Sequence, residues 1–416
     1  MFEAFRNAFK IHDLRRKILF ALFMIIVYRL GCSIPVPLVD SGALSDLYKN
    51  PNEIIGLVTI LTGLDKMSVF AMGVSPYITS SIIMQLLTVA IPYLERLQKE
   101  GEEGRKKIAK ITRYVTVLLG ILQSYAFYTV LRNTENALTA NGRTVFGAIT
   151  IIGAFTAGTA LVMWLGEQIN DKGIGNGISL ILTANIVSRG PEIISSIRVL
   201  VESRQFIPLI VILLIAVAMI TSIVHMNEAE RRIPIQYAKR VVGRRMYGGQ
   251  STHLPIKLAM SGVIPIIFAS TILSMPSLIG TMFNISWLKD LLTSRSWVYP
   301  VLYFLLILFF NYFYVSIQYD TTEISNNIQK NGGFVPGIRP GENTVKYINK
   351  ILNKTTLLGA VFLGIVAVLP LVLSLAMSVS VGLAGTSVLI IVSVVLETAR
   401  QIESQMVMRH YKGFLE

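Results

Sequence analysis

The residue types that carry out chemistry are few in this sequence, and they are dispersed. The single cysteine, Cys32, excludes an intramolecular disulfide and a cysteine-rich metal cluster. We interpret it as a small apolar side chain near a helix end. The histidines show no spacing typical of a metal site, which favours ordinary surface residues. They are His12, His225, His253 and His410.

Carboxylates are equally scarce where a transporter would need them. Glu167, Asp320, Glu323 and Glu397 fall near the ends of apolar stretches, and none of these stretches has a central Asp, Glu, Lys or His. Ion-coupled carriers need such groups for their relays. The glycine-rich run 173–177 connects two apolar stretches and lacks the strand–turn–helix context of a phosphate loop, so it predicts a tight turn. We therefore predict no enzyme, no cofactor and no metal site.

The composition explains where these residues must sit. Of 416 residues, 53% are hydrophobic and 15% are charged, against about 25% charged in a typical soluble domain. Most soluble enzymes, disordered proteins and coiled coils are excluded. Because a membrane helix needs ~20 mostly apolar residues, we predict ten spans, of which the fifth is the weakest. The spans are 18–38, 68–92, 111–131, 144–168, 177–197, 206–226, 256–280, 299–319, 356–379 and 383–402.

The basic residues predict the orientation. With both termini in the cytoplasm, most of the 38 lysine and arginine residues fall in cytoplasmic segments, as the positive-inside rule requires. Two of these segments, 227–253 and 322–350, are longer than a simple connection needs. The first alternates basic residues with aromatic and β-branched ones, which predicts a folded basic hairpin. It could be a solvated loop that only enforces topology, or it could contact RNA or an acidic protein.

Short stretches of the two halves resemble each other. Residues 73–78 and 262–267 both read G-V-x-P-x-I, and Gly177 and Gly385 both begin a G-x-S motif followed by three aliphatic residues. Span 2 then pairs with span 7, and span 5 with span 10. Two halves of five spans each must lie upside down relative to each other. Chance is the alternative, since each match is short. The repeat predicts a cavity at the interface of the halves.

The segment 52–70 between spans 1 and 2 is apolar from Ile54 to Leu64, which is too short to cross a bilayer. It predicts either a re-entrant helix inside a cavity or an interfacial helix.

These motifs together resemble the SecY family, the channel subunit of the bacterial protein translocon. The resemblance rests on "AMGVSPYITSSIIMQLLTVAIP", "KEGEEGRKKIAKITRY", "GIGNGISLIL", "AKRVVGRRMYGGQSTHLPIKLAMSGVIPIIFAS", "GFVPGIRPGENT" and "AGTSVLIIVSVVLETARQI", in the family's order. It implies an all-α polytopic membrane protein with ten transmembrane helices in two inverted five-helix halves around a central pore.

The resemblance implies roles for particular residues. A ring that closes the pore falls on Val74, Ile78, Ile178, Leu182, Ile267 and Ile390, which could instead be ordinary packing residues. A plug at about 54–66 includes Ile55, Gly56, Leu57, Ile60, Leu61 and Gly63. A lateral gate falls on Thr79 and Thr271, with Gln85 and Gln123 as weaker candidates, and interhelical hydrogen bonding is the alternative role. Docking of a motor or ribosome falls on Lys239, Arg240, Arg244, Arg245 and Arg339.

We accordingly expect a cytoplasmic N-terminus at 1–17, an N-terminal half at 18–199, a C-terminal half at 200–402 with loops 227–257 and 320–354, and a C-tail at 403–416. The expected function is a protein-conducting channel in the cell membrane. Its expected partners are the SecE and SecG small membrane subunits, the SecA motor ATPase, the ribosome, signal peptides with nascent polypeptides, and the lipid bilayer. The alternatives are an inverted-repeat secondary transporter of a small solute and a docking scaffold without a pore.

Overall fold

The computed structural model describes residues 9–39, 67–133, 137–188, 206–237, 240–242, 245–247, 251–282, 297–377 and 385–412, with isolated positions between 190 and 202. This part of the chain is mostly helical. The first half contains helices α1 (His12–Gly31), α2 (Ser75–Ala90), α3 (Pro92–Lys99), α4 (Glu102–Asn133), α5 (Val145–Lys172) and α6 (Gly177–Val187).

The second half contains α7 (Phe206–Glu228), α8 (Ile264–Met282), α9 (Val298–Gln318), α10 (Thr321–Lys330), α11 (Glu342–Met377) and α12 (Gly385–Lys412). Its strands are β1 (Glu230–Tyr237), β2 (Arg240–Val242), β3 (Arg245–Tyr247), β4 (Ser251–Lys257) and β5 (Gly333–Phe334).

Each predicted span overlaps one helix. Spans 1 to 10 correspond in order to α1, α2, α4, α5, α6, α7, α8, α9, α11 and α12. Within the described ranges, five helices are long and apolar enough to cross a membrane, or six if the α2–α3 pair, bent by 99°, counts as one span. The bend falls where Pro92 begins α3, since proline cannot continue the hydrogen-bond ladder of the preceding helix.

The predicted basic hairpin is confirmed. Strand β1 pairs antiparallel with β4, from Glu230 opposite Lys257 to Gln236 opposite Ser251, and β2 pairs with β3. Ile233 and Ile235 are buried while their neighbours on β1 are more exposed, which is the alternation of a strand with one packed face.

Most of the second long segment, 322–350, has regular secondary structure. It contains α10, strand β5 and the first two turns of α11. Strand β5 adds to β1, where Gln236 pairs with Phe334, so both long segments form one sheet of order β4–β1–β5. The sheet and helices share a small core of Ile233, Ile235, Ile256, Ile328, Val335 and Ile348.

Candidate functional site: an aliphatic junction between the two halves

Two of the clusters of buried apolar side chains in the helical body meet. The first cluster draws on α1, the segment before α2, α5 and α6, and includes Tyr28, Phe70, Val74, Leu165 and Ile181. The second cluster draws on α2, α7, α8, α9, α11 and α12, and includes Ile82, Ile266, Ile307, Ala367 and Ile390. Ile78 on α2 and Leu182 on α6 pack against both. The two clusters therefore meet along α2 and α6.

All six residues predicted for the ring belong to these clusters. Val74 and Ile178 pack in the first cluster. Ile267 and Ile390 pack in the second cluster. Ile78 and Leu182 pack against both clusters. Val74 and Ile390 are buried, and the other four are partly buried. The ring candidates thus come from four helices and from Val74, the residue that precedes α2. Their closing of a pore stays a prediction.

The sequence repeat has a counterpart in the backbone. Gly73 and Gly262, which open the two G-V-x-P-x-I motifs, both adopt positive φ, 52° and 57°. Two residues later α2 and α8 begin, each with proline as its second residue. Ile78 and Ile267 are consequently both the fourth residue of their helices. Glycine is favoured at both turns because positive φ is unstrained only without a Cβ.

The second pair of motifs matches in the same way. Gly177 begins α6 and Gly385 begins α12, which makes Leu182 and Ile390 both the sixth residue of their helices. The four ring positions that the repeat pairs are therefore placed by equivalent helix starts.

The glycine-rich run before α6 is a tight turn, as predicted. Gly175 adopts φ 85°, and the Asn176 side chain caps α6 by accepting hydrogen bonds from the Ile178 and Ser179 amides. The Gly175 amide donates to Gln401 Oε1 on α12 at 2.8 Å. This turn therefore connects the first half directly to the last helix.

The lateral-gate candidates lie on α2, α4 and α8, and α8 packs against the other two helices. Thr79 donates its hydroxyl to the Ser75 carbonyl at 3.0 Å, and Thr271 donates to the Ile267 carbonyl at 2.7 Å. Each of these donated bonds stays within its own helix. Gln123 is buried and Gln85 is partly buried.

Arg339 lies at an exposed turn between β5 and α11. Gly337 and Gly341 on either side have positive φ, 81° and 99°, and the Ile338 amide donates to the Val335 carbonyl. The Thr344 hydroxyl donates to the Arg339 carbonyl at 3.1 Å. The backbone of Arg339 is thus held on a hydrogen-bonded turn while the side chain faces solvent.

The amino-acid sequence is similar to those of known proteins over its whole length. Residues 68–399 match the family model described as SecY. The chain belongs to the SecY family. Among its relatives, the protein translocase subunit SecY of Thermotoga maritima is 44% identical, with 100% of this chain and 98% of the relative covered. The corresponding subunit of Corynebacterium glutamicum is 43% identical over the full length of both chains.

Solved structures of SecY-type channels share the fold. A protein-conducting channel superposes with a TM-score of 0.64 at 18% identity, covering 94% of this chain and 93% of that chain. A SecY structure in which the plug domain stabilises the closed state gives a TM-score of 0.66 at 18% identity, covering 94% and 92%. The predicted fold class, a helical membrane protein of the SecY type, is confirmed.

Two groups of residues predicted from the resemblance lie wholly or partly outside the part of the chain that the structure describes. The plug candidates Ile55, Gly56, Leu57, Ile60, Leu61 and Gly63 lie outside the described residues, as do Lys239 and Arg244. Arg240 and Arg245 lie on β2 and β3, whose side chains are also outside the description. The segment that follows the plug range is described: the Val36 amide donates to the Met67 carbonyl at 2.9 Å and the Val69 amide to the Ile34 carbonyl at 3.0 Å.

A buried polar cluster that was not predicted from the sequence lies beside the second apolar cluster. Ser261 hydrogen-bonds to Asn311 Oδ1, and Asn311 Nδ2 donates to the Thr356 carbonyl at 3.0 Å. All three residues are buried. A signal was present, because Asn311 is an amide within the apolar stretch of span 8, and polar groups inside membrane helices usually face a protein partner.

Proposed function

We propose that this protein is a protein-conducting channel, which passes unfolded secretory polypeptides across the cytoplasmic membrane and releases hydrophobic segments laterally into lipid. One observation carries the proposal: aliphatic residues from α2, α6, α8 and α12 lie in two clusters that share Ile78 and Leu182. The full-length similarity to translocase subunits supports it.

The chemistry of the proposed ring suits a gate that many sequences must pass. Aliphatic side chains offer no hydrogen bonds, so a narrow ring of them loses its water and blocks ions. For the same reason the ring makes no demand on the sequence of a passing chain. The alternative of a solute transporter has no support, since the relatives are translocase subunits.

Opening would separate α2 from α8. In our proposal, the closed state is held by packing across this seam near Thr79 and Thr271, with Gln85 and Gln123 at its edge. A hydrophobic segment of the substrate would replace these helix contacts and shift the equilibrium toward the open state. The segment at about 54–66 would act as the plug.

The two halves of the chain, 18–199 and 200–402, would flank the pore. The protein would lie in the cell membrane with both termini in the cytoplasm. The chain would catalyse no reaction, so energy would come from partners, the SecA motor or the ribosome, docking at Arg339 and at Lys239, Arg240, Arg244 and Arg245. SecE and SecG would complete the complex. Sec61, a structural neighbour of 16% identity, was solved in a ribosome–channel complex.

Ion conductance of the purified complex in planar bilayers tests the ring. We expect the triple variant Ile78→Gly, Ile267→Gly, Ile390→Gly to conduct ions at rest, while the unmodified protein stays closed. Val89→Gly with Val395→Gly is the control, because both valines are exposed on α2 and α12 and glycine weakens a helix by a similar ~1 kcal/mol at either place. Silent recordings from the triple variant, even after plug deletion, would refute the pore.

A further inference from the structure

A polar cavity of about 420 Å³ lies between the end of α9 and the start of the long helix α11. Polar side chains of both helices and of Asp320, which directly precedes α10, line the cavity. They are Tyr312, Ser316, Asp320, Asn349, Asn353 and Thr356. The described lining includes no ring, gate or docking candidate. The proposed channel function therefore leaves this cavity without a role.

The wall of the cavity carries one carboxylate among its described residues. Asp320 is the charged residue among the described lining residues. Its Oδ1 accepts hydrogen bonds from the Thr322 amide at 2.8 Å and the Glu323 amide at 3.1 Å. Because the Glu323 and Thr322 amides stabilise the carboxylate, the pKa of Asp320 is lowered, and the group is ionised at neutral pH. The C-terminal end of α9, with its partial negative charge, lies at the same wall.

A nearby lysine side chain does not line the cavity. Lys99 on α3 lies close enough to contribute, after the backbone amides, to the lowered pKa of Asp320. Its ammonium is however paired with Glu95 at 2.6 Å, and Lys99 is absent from the cavity lining. Asp320 is exposed, so a cation that enters the cavity can reach its carboxylate.

The cavity continues an apolar, exposed face of α9. Leu305, Phe309 and Tyr312 are exposed at spacings of four and three residues, and Ser316 follows on the same face inside the cavity. On α11, Leu357 is exposed directly after Thr356. In a membrane protein such a face meets acyl chains, and tyrosine is typical of the headgroup level. The cavity therefore sits where a lipid headgroup would lie above its chains.

Two further features fit a phospholipid. Lys350 and Lys354 are exposed one turn apart on α11, directly beside the lining residues Asn349 and Asn353, and would attract a phosphate. The Thr356 hydroxyl is buried without a hydrogen-bond partner. Because threonine populates two χ1 rotamers in a helix, a rotation can present this hydroxyl to a bound polar group.

We propose that this cavity binds the headgroup of a phospholipid that carries a primary amine, an ethanolamine-type lipid. The ammonium donates hydrogen bonds to the Asp320 carboxylate. The phosphate lies toward Lys350 and Lys354, and the acyl chains follow the exposed face of α9 past Phe309.

Native mass spectrometry of the complete complex in detergent tests this site. The probes are phosphatidylethanolamine, phosphatidylcholine and phosphatidylglycerol with identical acyl chains. We expect phosphatidylethanolamine to bind about tenfold more tightly than the other two, the factor that one charge-assisted hydrogen bond provides. Asp320→Asn should remove this preference. Asparagine caps a helix as well as aspartate does, so the variant removes the charge while α10 keeps its cap.

Glu342→Gln is the matched control, because Glu342 is an exposed acid at the start of α11 and does not line the cavity. It should leave the lipid preference unchanged. Equal binding of phosphatidylethanolamine and phosphatidylcholine would overturn the proposal, as would an unaltered preference in Asp320→Asn. Tightest binding of phosphatidylglycerol, lost in Lys354→Gln, would show an anion site instead. Displacement by soluble phosphoethanolamine at an equal concentration would overturn the assignment to a membrane lipid.

Discussion

Asn311 Nδ2 donates a hydrogen bond to the carbonyl of Thr356 at 3.0 Å and so joins α9 to α11 within the apolar body. The same amide side chain bonds to Ser261, which precedes α8. One buried side chain therefore connects three segments of the second half. Hydrogen bonds between membrane helices contribute only ~0.6 kcal/mol on average, so the larger effect should come from leaving its buried partners unpaired.

Asn311→Ala should lower the free energy of unfolding by about 1–3 kcal/mol, because the Ser261 hydroxyl loses its partner and the buried Thr356 carbonyl loses its side-chain donor. Denaturant titration of the complex in detergent measures this. Ser316→Ala is the control, because Ser316 is exposed and donates to the Phe313 carbonyl of its own helix. Equal stability of the wild type and Asn311→Ala would contradict the assigned role.

Gly262→Ala should destabilise the protein by about 1–2 kcal/mol through the backbone alone, since Gly262 adopts φ 57° and a Cβ there would meet open space. The comparison is Gly153→Ala on α5, where a Cβ also meets open space but the backbone is helical, so that alanine should be neutral or stabilising. Thermal unfolding of both variants measures the difference. A similar shift in both would show that positive φ is not the cause.

Arg339→Glu should reduce motor-driven export by about tenfold or more, if Arg339 makes the charge-assisted contact that we propose. Protease protection of a secretory precursor in reconstituted vesicles measures export. Lys330→Glu reverses an exposed charge at the end of α10 and should have a smaller effect. Normal export by Arg339→Glu, with the protein inserted in the membrane, would refute the docking role.

Asp320 should make stability depend on pH at the acidic end. Its folded pKa is lowered by the backbone amides of Glu323 and Thr322, so the stabilisation is present above the unfolded value of about 4 and is lost as the pH falls through the folded pKa. Asp320→Asn should remove this contribution and keep the cap, whereas Asp320→Ala should also lose about 1 kcal/mol of capping at any pH. Unfolding curves of the three proteins between pH 3 and 7 measure this, and parallel wild-type and Asp320→Asn profiles would contradict it.

Much of the helical organisation could be predicted from the sequence because it depends on local quantities. Each predicted span overlaps a helix, since a long apolar stretch specifies a membrane helix whatever its neighbours are. The equivalence of Ile78 with Ile267 was also predictable, because the turn before each helix is encoded by a glycine and a proline a few residues away.

Only the tertiary structure decided which distant groups meet. The addition of β5 to β1 joins residues about a hundred positions apart, and the bond from Gly175 to Gln401 spans 226. The polar cavity at Asp320 and Thr356 is lined by residues of both α9 and α11, which are distant in the sequence. Periodicity and composition report how one segment partitions between lipid and protein. They carry no information about which polar group on another segment will face it, because that depends on the packing of the whole chain.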